Sequence, residues 1–236
     1  MYAGIAAGAP LGIGLYHSLG VQSVFTAIII LAVLGWLATL RLPMLAANPA
    51  HARTPFYKVI GTIAGQGMGL ALSSIGFACI SSFIVLYFKT KGWGEAAAAF
   101  ASFGSAYVLV RVFCASFPDR FGGYRVALFS LVVEIAGQLC IWSATSGAMA
   151  IAGCILTGAG FSLIFPSLGV LAVKKVSSHM RGTALGAYVA FFDLSLGIAG
   201  PIAGLIASRF NYAAVYLFGA ISALAAMVML FIKRKQ

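Results

Sequence analysis

Three ionisable side chains, Arg111, Glu134 and Asp193, interrupt stretches that are otherwise apolar. At bilayer depth each costs at least about 2.5–3.5 kcal/mol unless it is paired or hydrated. One cation and two anions can neutralise one another as a structural lock, exchange a proton with a coupled ion pathway, or contact a polar ligand directly. Counting about 1.5 Å per residue from the span ends, Asp193 lies about 18 Å deep, near the midplane, Glu134 about 14 Å and Arg111 about 10 Å. Such neighbouring depths permit pairing. Asp193, the deepest of the three, is the first candidate for taking up and releasing a proton.

A second constellation is Asp119-Arg120-Phe121-Gly122-Gly123-Tyr124-Arg125. It falls in a tight connection between two apolar runs, where the glycines permit a close turn and the acid can face a helix N-terminus or a basic side chain. Asp119, Arg120, Gly122 and Arg125 are therefore read as a loop motif that can gate movement of the helices it joins. A third signal is steric. Gly61, Gly65 and Gly69 recur every fourth residue, as do Gly182 and Gly186, and Gly200 and Gly204. This spacing lays a flat strip on one helix face, suited either to static packing or to a sliding contact. Pro10, Pro166 and Pro201 fall inside spans, where a proline removes one backbone hydrogen bond and bends the helix. The third apolar run carries Gln66, Ser73, Ser74, Ser81 and Ser82 in its middle. Either these line an aqueous cavity, or their hydroxyls bond back to carbonyls of their own helix.

Other chemistries lack their residues. The sequence has no GxxxxGK[ST] to cradle a phosphate, no HExxH and no GxSxG. Cys79, Cys114, Cys140 and Cys154 all lie in apolar runs with no CxxC pair and no histidine at ligand spacing, which suits buried hydrophobes better than a metal site. His17, His51 and His179 have no partner acids nearby in sequence. The expectation is a protein that is not an enzyme and that needs no cofactor or metal.

The elements that must position these residues follow from composition. Of 236 residues 62% are hydrophobic and only 8% charged, with a net charge of +11. A soluble domain carries about 25% charged residues, so too few charges are present to cover a water-facing surface. The basic residues come one to three at a time between apolar runs, without a basic face, which argues against a nucleic-acid partner. Eight apolar stretches can be marked, at 2–18, 21–40, 59–88, 96–117, 126–144, 148–173, 183–207 and 213–232. A spanning helix needs about 20 apolar residues, and none of the runs alternates as a membrane strand would. The fold class expected is all-α: a polytopic membrane protein of eight transmembrane helices, with the bilayer as its solvent.

One connection is longer and polar, at 41–57, with Pro43, Pro49, Pro55, Asn48, His51 and Arg53. It is the expected boundary between a helix pair at 1–40 and a six-helix unit at 58–236. Alternate loops divide the cations unequally. One side holds Arg41, Arg53, Lys58, Arg120, Arg125, Lys174, Lys175, Arg181, Lys233, Arg234 and Lys235; the other holds Lys89, Lys91 and Arg209. The positive-inside bias then puts both termini and the long loop in the cytoplasm. The first helix pair also repeats the last. Gly8 to Gly200, Gly12 to Gly204 and Arg41 to Lys233 share an offset of 192 residues, with Pro10 and Pro201 displaced by one.

Together these features resemble the major facilitator superfamily, whose members join two six-helix halves as parallel repeats around a midplane site. The 119–125 turn resembles the family's loop motif G-x-x-x-D-R-x-G-R-R in its second-half copy, with Ala115 at the first glycine position and Gly123-Tyr124 where a basic residue is often found. The runs Gly4–Gly12 and Gly197–Gly204 are similar to the glycine-proline motif of the fifth helix in exporters and its counterpart in the eleventh. The wording of 158–166 and 192–197 is similar to the bacterial arabinose-efflux-permease-like branch. The resemblance implies a multi-pass protein of the bacterial inner membrane. It implies proton-coupled efflux of a small molecule, such as a sugar or a drug, by alternating access. It also aligns the chain to helices five to twelve only, which implies a fragment of a transporter, unless another chain supplies the four helices of the first half. The alternative is a truncated membrane subunit that does not transport.

Overall fold

The computed structural model describes residues 12, 14–16, 18–40, 56–94 and 96–233, and every regular element among them is helical. In hydrocarbon a backbone N–H or C=O has no water to bond, so an apolar segment satisfies its own polar groups by becoming a helix. The chain divides into two units, Met1–Arg53 and Thr54–Gln236.

The first unit contributes one long helix, α1 (Val21–Thr39). Gly20 precedes it with φ of +79°, a backbone conformation that glycine adopts without a steric penalty. The predicted span 2–18 falls mostly outside the described residues, as do Gly8 and Pro10, while the Cβ position of Gly12 meets nothing within 4 Å. The predicted loop 41–57 also lies outside them, except for Phe56 and Tyr57, which already belong to the next helix.

The second unit is a bundle of α2 (Phe56–Lys91), α3 (Ala96–Phe113), the short α4 (Phe117–Phe121), α5 (Gly123–Trp142), α6 (Gly147–Lys174), α7 (Arg181–Arg209) and α8 (Tyr212–Lys233). A single 3-10 turn, Ser178–Met180, leads into α7. Consecutive long helices run antiparallel through short turns. The turn before α6 is capped by Ser146, whose hydroxyl accepts from the Met149 amide at 3.3 Å. In the same way Asn211 accepts from the Ala214 amide at 2.9 Å in the turn before α8. At 36 residues α2 is the longest element, and it packs against α3, α6, α7 and α8. The α5–α6 pair forms the other dense contact, flanked by α8 and α3.

Seven described helices are long and apolar enough to cross a membrane, and the chain is a multi-pass membrane protein. Their bounds follow the predicted spans with one informative difference. The run predicted at 96–117 ends as a helix at Phe113, and a separate turn of helix begins at Phe117. Pro118 explains the restart. It has no N–H to donate back into α3, but it fits the first turn of α4, where that N–H would be unpaired anyway. Gly122, at φ of +87°, then turns the chain into α5. Pro166 and Pro201 leave α6 and α7 unbroken as helices.

Candidate functional site

The middle of the bundle holds buried polar side chains contributed mainly by α2, α5 and α6. Glu134 is fully buried. One of its carboxyl oxygens, Oε2, accepts a hydrogen bond from the Ser73 hydroxyl of α2 at 2.7 Å. One helical turn on, Gln138 is also fully buried and donates through Nε2 to the Gly76 carbonyl at 3.1 Å. Positions four apart share a helix face, so α5 presents both groups to α2 together. Room for them comes from missing side chains. A Cβ on Gly76 would lie 2.8 Å from Glu134 Oε1 and 3.0 Å from Gln138 Nε2. A Cβ on Gly219 of α8 would lie 2.6 Å from Gln138 Oε1. Behind these groups, a Cβ on Gly160 of α6 would lie 2.5 Å from the Glu134 amide nitrogen and 2.6 Å from the Ser130 carbonyl. Three helices, α2, α6 and α8, thus close on the Glu134–Gln138 stretch of α5 at distances only glycine permits. Glu134 Oε1 and Gln138 Oε1 have no hydrogen-bond partner among the described residues.

Asp193 occupies a different setting. It is exposed, near the middle of α7, on the face that also carries Gly182, Gly186 and Gly197. The Cβ positions of those glycines, and of Gly200, meet nothing within 4 Å in this unit, and that of Gly204 meets only Phe83 at 3.8 Å. Its chain neighbour Phe192 points the other way, into a tier of rings. Phe77 stacks near-parallel with Phe103, Phe161 and Phe192 at centroid distances of 5.6, 5.7 and 6.4 Å. Phe165 meets Phe192 edge-on at 6.3 Å. The tier joins α2, α3, α6 and α7. Ser195 fixes the rotation of α7 by donating to the Ala71 carbonyl of α2, and Ser222 of α8 donates to the neighbouring Leu72 carbonyl at 2.7 Å.

Of the three ionisable residues, Glu134 is buried, Arg111 half-buried and Asp193 exposed. Glu134 is joined to Ser73, and Arg111 donates to the Ser162 carbonyl of α6 at 3.3 Å. Ser162 in turn donates to the Tyr107 carbonyl at 2.7 Å, which ties α3 to α6. Gln66, Ser73 and Ser74 lie inside the bundle rather than along an open wall. Ser74 bonds back to the Leu70 carbonyl at 2.7 Å, and the Gln66 amide has no hydrogen-bond partner among the described residues. The α2 surface turned to its neighbours is too extensive to leave these groups facing water. Asp119, Arg120 and Arg125 are exposed around the α4–α5 turn. Sequence reasoning passed over Gln138 and the ring tier. The i, i+4 spacing of Glu134 and Gln138 was the signal available for the first, whereas the phenylalanines are spread over four helices and carry no local pattern.

The described residues contain no group of three or more His, Cys, Asp or Glu side chains fit to hold a metal. Among known proteins, the Major Facilitator Superfamily profile matches residues 66–236. An MFS-type transporter of Salmonella typhimurium is 42% identical over 235 residues, which is 99% of this chain and 60% of the relative. One from Pseudomonas aeruginosa is 43% identical over 204 residues, covering 86% of this chain and 50% of the relative. One from Burkholderia mallei is 41% identical over 229 residues, covering 97% and 56%. The chain thus spans roughly half to three-fifths of the length of these relatives. Among solved structures, the peptide transporter POT in complex with sulfate superposes with a TM-score of 0.66 at 14% identity, over 78% of this chain and 42% of that one. At that identity the likeness concerns the fold.

Proposed function

This chain belongs to the Major Facilitator Superfamily, and we propose that it supplies the second half, and part of the first, of a secondary active transporter. In this reading a small molecule such as a sugar or a drug leaves the cell by alternating access, coupled to protons, across a bacterial inner membrane. The six long helices of the second unit form one rocking half, and the matching half is completed by residues beyond this sequence or by another chain. Both termini and the Asp119–Arg125 turn lie at the cell interior, because eleven of the 15 Lys and Arg residues fall in the loops of that side.

The observation that carries this reading is the setting of Asp193. A mid-span carboxylate is expensive in lipid, yet this one stands exposed on a helix face lined by small residues. That face suits a water-filled pathway or a close partner helix, and it leaves Asp193 free to exchange a proton. Glu134 is fully buried, approached closely by α2 and α6, and bonded to Ser73, which suits a structural tie inside the rocking half. Arg111 belongs with it as a tie between α3 and α6.

The test compares the complete transporter with its Asp193→Asn variant in proteoliposomes under an imposed pH gradient, with candidate sugars and drugs as probes. The variant is expected to keep its fold and its exchange of unlabelled for labelled probe, and to lose gradient-driven accumulation by at least tenfold. Unchanged gradient-driven accumulation removes Asp193 from coupling. The contrary outcome is a membrane subunit that does not transport. Probe movement that stays at the level of protein-free vesicles, even with a complete first half present, would establish it.

A further inference from the structure

A groove of about 510 Å³ lies between α3, α4, α5 and α6 on the outside of the bundle. Val110, Phe117, Phe121, Val126, Phe129 and Leu163 make its walls, and Arg125 is the one charged residue among those that line it. Phe129 is 71% exposed, so the groove opens outward, where a membrane-spanning bundle meets lipid. Arg125 and Val133 both line it and sit eight residues apart on α5, about 12 Å along the helix axis.

The charge at its mouth has one sign. The Cβ position of Gly123 lies 2.6 Å from the Ser167 carbonyl and 3.1 Å from Leu171. The first turn of α5 therefore meets the last turns of α6, which end at Lys174 and Lys175. Arg120, Arg125, Lys174 and Lys175 are all exposed at that end, with Asp119 the one acid of the α4–α5 turn. Among the described residues Arg125 has no hydrogen bond or ion pair that would occupy its guanidinium.

An apolar slot with a free cation at its mouth matches a molecule with a hydrocarbon chain and an anionic head. A free anion would leave the walls uncovered. A helix of a second protein, at about 10–12 Å diameter with side chains, is too wide for a slot of this volume and length. We propose that the groove is a binding site for an anionic phospholipid, with one acyl chain along the walls and the phosphate on the Arg125 guanidinium. Basic clusters beside transmembrane helices attract anionic headgroups in just this way. The site rests on the membrane reading of the chain and is independent of transport.

The test is lipid retention by the full chain, taken from nanodiscs of equal phosphatidylglycerol and phosphatidylcholine and read by native mass spectrometry. The unaltered chain is expected to retain phosphatidylglycerol about fivefold over phosphatidylcholine, the factor that corresponds to about 1 kcal/mol for one basic residue at an anionic surface. R125Q is expected to bring the ratio near one, and Arg125→Lys to keep most of it. Val133→Trp, which fills the slot, is expected to lower retention of both lipids, with the helix content of each variant checked by circular dichroism. Equal retention by the unaltered chain, or a ratio unchanged in R125Q, overturns the headgroup contact. Retention unaffected by Val133→Trp overturns the acyl-chain placement, and displacement by millimolar inorganic phosphate assigns the mouth to a free anion instead.

Discussion

Glu134 and Asp193 are both carboxylates in the middle of apolar helices, and the fold treats them in opposite ways. Around Glu134, glycines of α2, α6 and α8 bring backbone within reach of the side chain or its helix. Around Asp193, the glycines of its own helix face open space in this unit. Glycine spacing therefore carries two meanings in one bundle: a filled contact on one helix face, and an unoccupied strip on another. Sealing costs a carboxyl its water and demands a built partner, here Ser73. Asp193, on the exposed strip, lies outside such contacts within this unit.

The contrast can be broken or sharpened by substitution. The largest effect is expected at Gly160→Leu. A side chain there runs into the Glu134 amide and the Ser130 carbonyl, both backbone atoms that cannot swing aside. Overpacking of this kind costs about 1–3 kcal/mol or more, seen as a lower midpoint in denaturant unfolding of the detergent-solubilised chain. Glu134→Ala comes next, because it leaves a cavity and strips Ser73 of its partner, at about 1–3 kcal/mol for a buried group left unsatisfied. Ser73→Ala is expected to cost about 1 kcal/mol, a typical net hydrogen bond. The double variant should then cost less than the two single losses combined, since both remove the same bond. Full additivity would show that the Ser73–Glu134 contact contributes nothing. The smallest effect is expected at Gly186→Ala. No atom lies within 4 Å of its Cβ position, and alanine is a better helix former than glycine by about 1 kcal/mol. A neutral or slightly raised midpoint is therefore expected, and a marked loss would mean that this strip is occupied within the bundle.

Much of the fold was legible because lipid imposes a length. Runs of about 20 apolar residues mark spans whatever else the sequence holds, and α2, α5, α6, α7 and α8 fall within a few residues of the runs read for them. Pro118 marks where the α3 run gives out, and its effect at the first turn of a new helix is a local rule that could have been applied. The site was legible only in part. Depth along the normal put Arg111, Glu134 and Asp193 at similar levels, which permitted pairing but gave no direction around each helix axis. Gln66, Ser73 and Ser74 were legible as polar residues on a long helix, without a sign of whether they faced a cavity or another helix.

What the amino-acid sequence determined by itself was the all-helical, membrane-spanning class and the approximate position and length of the seven described crossings. Those quantities depend on position along the chain and on a solvent whose thickness is fixed. Rotation about each helix axis was decided by the tertiary structure. In water the polar face of a helix declares which side is out, but in lipid both the packed and the exposed faces are apolar, so the pattern around the axis is nearly silent. Packing of glycine against backbone, and single bonds such as Ser195 to Ala71 and Ser222 to Leu72, turned Glu134 inward to Ser73 and Asp193 outward.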